Sequence, residues 1–160
     1  MDFETINRDY AAAILRTVSL YAREPTERDD LLQEISLALW RALPSFRGDC
    51  SLKTFVFRIA HYQGMRFALR RRAATAPLLE EELVSPEDGP EQALIDKRGR
   101  KALQDAVCAL PLAYRQVASL SLEGLSNQEI AAVLGIDKGN VAVRLHRAKQ
   151  SLEQRLKAWR

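Results

Sequence analysis

Leu125-Ser126-Asn127-Gln128-Glu129-Ile130-Ala131-Ala132-Val133-Leu134-Gly135-Ile136-Asp137 holds the start of one helix, its end and the start of another. Ser126 with Glu129 three residues on is a capping box: the hydroxyl accepts from the amide of Glu129, and the carboxylate reaches back to the amide of Ser126. The helix so opened is expected to bury Ile130, Ala131 and Leu134. Gly135 supplies a left-handed C-terminal cap and Asp137 caps the next helix. There Val141, Leu145, Ala148 and Leu152 recur at helical spacing. Two helices joined by a tight glycine turn, with small Ala131 permitting close approach, form a helix-turn-helix.

Away from its apolar stripe, the second helix offers Gly139, Asn140, Val143, His146 and Arg147, with Lys138 at its start and Arg144 at the flank. A DNA major groove admits such a helix, and Asn and Arg suit bidentate contacts with adenine and guanine. Arg144, Lys149 and Arg115 suit phosphates, which fix register but carry no sequence information, and Ser126 at the first helix's start is a further candidate for DNA contact. Plain solvation of a packing helix fits the same polar face, and an exposed histidine such as His146 needs no function.

Outward from this motif the chain stays helical. Helices are expected over residues 98–110, stopped by Pro111, and over 113–122. Near the N-terminus Phe3, Ile6, Tyr10 and Ile14 share a helical face. Thr26 with Asp29 forms a second capping-box pattern just after Pro25, opening a helix with Leu31, Leu32, Ile35, Leu39 and Trp40 apolar. Pro44 and Gly48 end it. A third helix is expected over 52–72, with Phe55, Ile59 and Tyr62 on one stripe that Leu69 extends, and Phe55 and Ile59 as its core positions. No alternating run suggests a strand, so the fold class is all-α: two small helical domains, the second containing the helix-turn-helix.

Charge separates the two. Residues 1–75 hold twelve Lys/Arg and nine Asp/Glu (+3), residues 76–96 no basic residue and seven acids (−7), and residues 97–160 twelve basic and five acidic residues (+7). The acidic segment also holds Pro77, Pro86, Gly89 and Pro90, so it reads as a linker, at least partly disordered. The total of +3 over 160 residues conceals this pattern. No apolar run approaches the ~18 residues of a membrane span, and no secretory signal is evident. Cys50 and Cys108 stand alone, which argues against a zinc site of standard spacing and a disulfide scaffold, and points to a reducing, cytoplasmic setting. No phosphate-cradling loop or His/Asp/Cys cluster suggests an enzyme, a metal or a cofactor.

The residues resemble the extracytoplasmic-function (group IV) sigma factors of bacterial RNA polymerase. Ala109-Leu110-Pro111, Leu122 to Ala131, and Gly139-Asn140-Val141 with Arg144-Leu145-His146-Arg147-Ala148-Lys149 are similar to that family's promoter −35 domain. Asp30-Leu31-Leu32-Gln33-Glu34, Trp40-Arg41-Ala42-Leu43-Pro44 and Phe46-Arg47-Gly48-Asp49 resemble its core-polymerase-binding helix and following loop. Thr54-Phe55 and Phe57-Arg58-Ile59-Ala60-His61 resemble the helix that opens and reads the −10 element.

The resemblance implies a non-catalytic subunit whose partners are core RNA polymerase, promoter DNA and an anti-sigma factor, with no small-molecule substrate and no membrane insertion. It implies that Asp30, Leu31, Gln33, Glu34 and Trp40 meet the polymerase, although Trp40 reads equally as core. It implies that Arg47, Lys53, Arg58, His61, Tyr62, Arg66 and Arg70 meet the −10 element, cations drawing phosphates and aromatics stacking unpaired bases. The family usually carries Asn where Tyr62 stands and an acid where Arg66 stands, so an altered −10 preference is expected. The acidic linker reads in three ways: a segment lying in a channel built for nucleic acid, a solvated tether, or a self-inhibitor folding back on the basic domains. A polymerase-independent helix-turn-helix regulator is the alternative function, and it leaves the N-terminal half unexplained.

Overall fold

Asp2 opens the first helix, its carboxylate accepting from the amide of Thr5 at 2.8 Å. The structure is a computed structural model and describes residues 2–74 and 95–159. Helix α1 spans Phe3–Tyr21, α2 Pro25–Ala42 and α3 Leu52–Ala74, with a short 3-10 turn Leu43–Ser45 after α2. The second half holds α4 (Ile95–Cys108), α5 (Leu112–Leu122), α6 (Asn127–Leu134) and α7 (Lys138–Trp159). The regular structure of the described residues is entirely helical. Most of the acidic segment, residues 76–94, lies outside the described residues; its last two, 95 and 96, already belong to α4.

The helix-turn-helix follows its local chemistry. Both bonds of the Ser126–Glu129 capping box form, at 3.2 and 3.1 Å. Gly135 takes φ +69°, which a side chain would strain, and Asp137 accepts from the amide of Asn140 at 2.8 Å. Val141, Leu145 and Ala148 are buried and Leu152 is half-buried. In α6 the buried pair is Ile130 and Val133, whereas Ala131 and Leu134 are half-buried. Helix α6 packs on α3 as well as on α5 and α7, so its inward face is not the one a lone helix-turn-helix would bury.

Two N-terminal expectations are corrected. Thr26 and Asp29 form no capping box: α2 starts at Pro25, with Glu24 as an N-cap that makes no side-chain bond. Proline is pre-organised for that first helical position, where the missing N–H costs nothing. In α3 the buried residues are Val56, Phe57, Ala60 and His61; Phe55 and Ile59 are half-buried, and Tyr62 and Leu69 are exposed. Helix α3 packs on α1, α2 and α6, which turns its inward face away from the expected stripe. Phe55 instead meets Phe46, with ring centroids 4.7 Å apart.

Gly64 sets the approach of α1 to α3. A Cβ there would lie 2.3 Å from Cδ2 of Tyr21, so only glycine lets the ring lie against the helix. Helix α1 also touches α4 and α5. One hydrophobic core therefore runs from Ile6, Ile14 and Leu31 through Phe57 to Val107, Leu110, Val117 and Val141.

Candidate nucleic-acid interface

Helix α7 is held by its buried stripe, which turns Lys138, Gly139, Asn140, Val143, His146, Arg147 and Lys149 outward; all are exposed, and Arg144 at the flank is half-buried. Arg147 lies 3.5 Å from the Tyr114 hydroxyl. The face is a cationic helix side with an amide near its N-terminus, the layout that suits a major groove. Ser126 uses its hydroxyl in the capping box, whose bonds, Ser126's backbone first, hold the Glu129 carboxyl below the usual range. Arg115 is not at this surface. It is half-buried and donates to the carbonyls of Leu110 at 2.7 Å and Leu20 at 2.8 Å, joining α5 to α1.

Helix α3 presents a second cationic face. Arg58, Tyr62, Arg66 and Arg70 recur every fourth residue, all exposed, and form a ladder up one side. The Arg66 guanidinium carbon lies 5.9 Å from the centroid of the Tyr62 ring, a cation–π arrangement. Beside Tyr62 a groove of about 380 Å³ runs between α2 and α3, lined by Ala38, Ala42, Arg58, Ile59, Tyr62 and Gln63. Arg47 is exposed in the preceding loop, and half-buried Lys53 donates to the carbonyl of Glu123.

His61 faces inward, contrary to its expected DNA contact. It is 2% exposed, and its Nδ1 lies 2.6 Å from the Tyr21 hydroxyl. Gln116 Nε2 donates to that hydroxyl at 3.0 Å, leaving the Tyr21 O–H for Nδ1. The neutral ring then carries its proton on Nε2, which has no partner among the described residues. Burial disfavours a charge and pushes the imidazole down to about 3.

On α2, Asp30 and Gln33 are exposed, as is Trp40 at 60%, so Trp40 is not core. Leu31, expected at the partner surface, is fully buried: it lies on the inward stripe with Ile35 and Leu39. Glu34 accepts from Arg70 Nη2 on both oxygens, at 2.8 and 2.7 Å.

Sigma-70 region 2 matches residues 7–75 of the chain, and Sigma-70, region 4 matches residues 100–152. The chain is 29% identical to the ECF RNA polymerase sigma-E factor of Escherichia coli (strain K12), over 88% of its own length and 81% of that protein's. It is 26% identical to the RNA polymerase sigma-H factor of Pseudomonas aeruginosa, over 96% and 86%. The chain belongs to the extracytoplasmic-function sigma factors. Two solved structures share the fold of this sigma factor. CnrH in complex with the cytosolic domain of CnrY superposes with a TM-score of 0.68 at 24% identity, covering 98% of this chain and 88% of that one. RpoE from Bartonella quintana, in complex with the anti-sigma factor NepR, gives 0.70 at 22% identity, covering 98% and 99%.

As a sigma factor the chain binds core RNA polymerase and directs promoter recognition. Its two matched regions carry the two cationic helix faces, α3 in the first and α7 in the second. Sequence reasoning missed Tyr21, Gly64, Gln116 and Glu123, which join elements far apart in the chain and leave no local signal. No helix of the described residues is long and apolar enough to cross a membrane.

Proposed function

We propose that this sigma factor divides promoter recognition between residues 1–75, which take core polymerase and the −10 element, and residues 97–160, which take the −35 element, with 76–96 as the acidic connector. The observation that carries this reading is the exposed Arg58–Tyr62–Arg66–Arg70 ladder beside an apolar groove. Its cations suit the phosphates of one strand, and Tyr62 offers a stacking face worth ~1–3 kcal/mol per base. An unpaired base extruded from the duplex needs such a trap to resist re-stacking. The groove receives that base, with the Gln63 amide and Arg58 able to read its edges. Arg47 and Lys53 extend the same surface.

At the −35 element Asn140 and Arg147 read base edges, Val143 and His146 pack in the groove, and Lys138, Arg144 and Lys149 hold phosphates. Asp30, Gln33 and Trp40 dock on the polymerase together with Glu34, which must then leave Arg70. The sigma factor acts without catalysis of its own, in the cytoplasm. Because both structural relatives carry a bound partner, one of them a named anti-sigma factor, we assign this chain a protein inhibitor of the same kind.

The test is capture of core polymerase followed by run-off transcription from a randomised promoter library. Wild type is expected to enrich two sequence blocks, and Tyr62→Asn to change the preferred −10 bases alone. No binding to core at any salt concentration sinks the reading; an unchanged −10 preference sinks the role of the ladder.

A further inference from the structure

We infer that the corner at Glu123 is an intramolecular latch, in which the C-terminal ends of α5 and α6 and the Glu123 carboxylate engage the cations of the −10 half of the free sigma factor in place of promoter phosphates. The inference rests on the reading of α3 as the single-strand surface.

Glu123 is the C-cap of α5, in a turn closed by Gly124 at φ +88°. Its carboxylate takes both Nε and Nη2 of Arg16 on α1, at 2.6 and 3.0 Å, and its side chain is only 14% exposed. Its backbone carbonyl accepts from Lys53 at the start of α3. One turn further along α3, Arg58 Nε donates at 3.3 Å to the carbonyl of Ala132, near the end of α6. The last carbonyls of a helix lack intrahelical partners and carry partial negative charge. Two helix ends and one carboxylate therefore present to α1 and α3 what a nucleic-acid strand presents: closely spaced oxygens bearing negative charge. Lys53 and Arg58 cannot give the same hydrogens to these carbonyls and to phosphates.

Dimensions also require the halves to part. Positions −10 and −35 lie roughly 25 base pairs apart, about 85 Å along a duplex rising 3.4 Å per pair. A compact chain of 160 residues has a radius of gyration of about 15 Å. Here α3 and α6 touch, so this closed form cannot span both elements. The self-inhibitor is thus the folded −35 half, rather than the acidic connector alone.

Arg16→Glu is the discriminating variant. It faces Glu123 with a like charge and lowers net charge by two, so a general electrostatic effect weakens DNA binding, whereas release of the latch tightens it. Dyes on Arg8→Cys and Gln154→Cys, in a Cys50→Ser/Cys108→Ala background of the full chain, report the separation of the halves by single-molecule energy transfer. Anisotropy of a labelled oligo(dT) at low salt reports access to α3. Arg16→Glu is expected to raise the open-to-closed ratio about tenfold, as loss of a charged, partly buried hydrogen-bonded pair implies, and to bind oligo(dT) more tightly. Adding Glu123→Arg restores opposite charges, and is expected to return both readings toward wild type. Unchanged energy transfer in Arg16→Glu overturns the latch, as does weaker oligo(dT) binding or failure of the charge swap to recover. Helical circular dichroism verifies folding; should Arg16→Glu unfold, Glu123→Gln carries the same expectation with a smaller shift. Run-off transcription with saturating core separates the two ideas: wild-type transcripts without opening sink only the latch, whereas wild type failing to bind core sinks the promoter reading.

Discussion

Gly64→Ala sets two opposed effects against each other. Glycine inside a helix is ordinarily a weakness, and alanine there gains about 1 kcal/mol. At this position, however, the new methyl would stand 2.3, 2.5 and 2.7 Å from three carbons of the Tyr21 ring. Those distances require a shift of about 1 Å from ordinary carbon contact. The ring is 6% exposed, and its hydroxyl is committed to His61 at 2.6 Å and Gln116 at 3.0 Å, so any shift also strains those bonds. Overpacking costs ~1–3 kcal/mol and a buried polar group left unmatched ~1–3 kcal/mol more. After subtracting the helix gain, the net is a destabilisation of about 1–5 kcal/mol, a fall in midpoint of roughly 2–20 °C for a chain of this size. Urea and thermal unfolding of the full chain measure it. A double-mutant cycle with Tyr21→Ala sharpens the result, because removing the ring makes room for the methyl and should cancel most of its cost. A Gly64→Ala protein as stable as wild type, or more so, refutes the packing argument.

Acid should weaken the fold through His61. Its imidazole is held neutral and pushed down to about 3, against 6.5 for the unfolded chain, so its contribution is complete above pH 6.5 and is lost as pH falls toward 3. The slope approaches ~1.4 kcal/mol per pH unit in that window, and His61→Phe should show a flatter profile; parallel urea-unfolding profiles of the two proteins exclude this assignment. Asn140→Ala should cost ~1–3 kcal/mol of discrimination at one base pair of the −35 element, whereas Lys149→Ala should weaken all sequences alike and reduce the salt slope by about 1; binding titrations on a −35 library at several salt concentrations distinguish these, and a uniform loss from Asn140→Ala removes its reading role. Trp40→Ala should lower affinity for core polymerase about tenfold or more, as an exposed aromatic anchor does, while leaving the melting temperature within about 1–2 °C of wild type; a large fall in melting temperature would mean that the indole packs internally.

What was legible in the sequence is what local chemistry controls. Ser126, Glu129, Gly135 and Asp137 act within four residues of themselves, and each does in the structure what its type and spacing require. Apart from Thr26 and Asp29, whose capping box gives way to Pro25 at the first helical position, the misplaced residues depend on rotation about a helix axis or on a partner distant in the chain. Helix α3 carries cations and apolar groups around its whole circumference, so periodicity does not separate the buried His61 from the exposed Tyr62 beside it. Leu31 stands among polar residues that face out, yet itself points in. Arg115 looks like a phosphate contact until a carbonyl 95 residues away, that of Leu20, is found to take its hydrogen. Pairings such as Gly64 with Tyr21, or Glu123 with Arg16, arise only when distant segments meet. The family resemblance supplied the function in advance, but it said nothing of how the two halves close on each other.

The unbroken core has a consequence for how the chain is stored. Leu20 and Tyr21 of the first half lie in the same apolar mass as Val107, Leu110 and Val117 of the second. Separating the halves wets part of that mass, at roughly 25 cal/mol for each Å² of carbon surface uncovered. The closed sigma factor is therefore the form expected to survive at high concentration, resisting self-association and protease attack. The open form is expected to last only while another surface lies against it. Limited proteolysis of the free chain should accordingly proceed more slowly than for any variant that separates the halves, which makes its half-life a simple readout of how firmly it is shut.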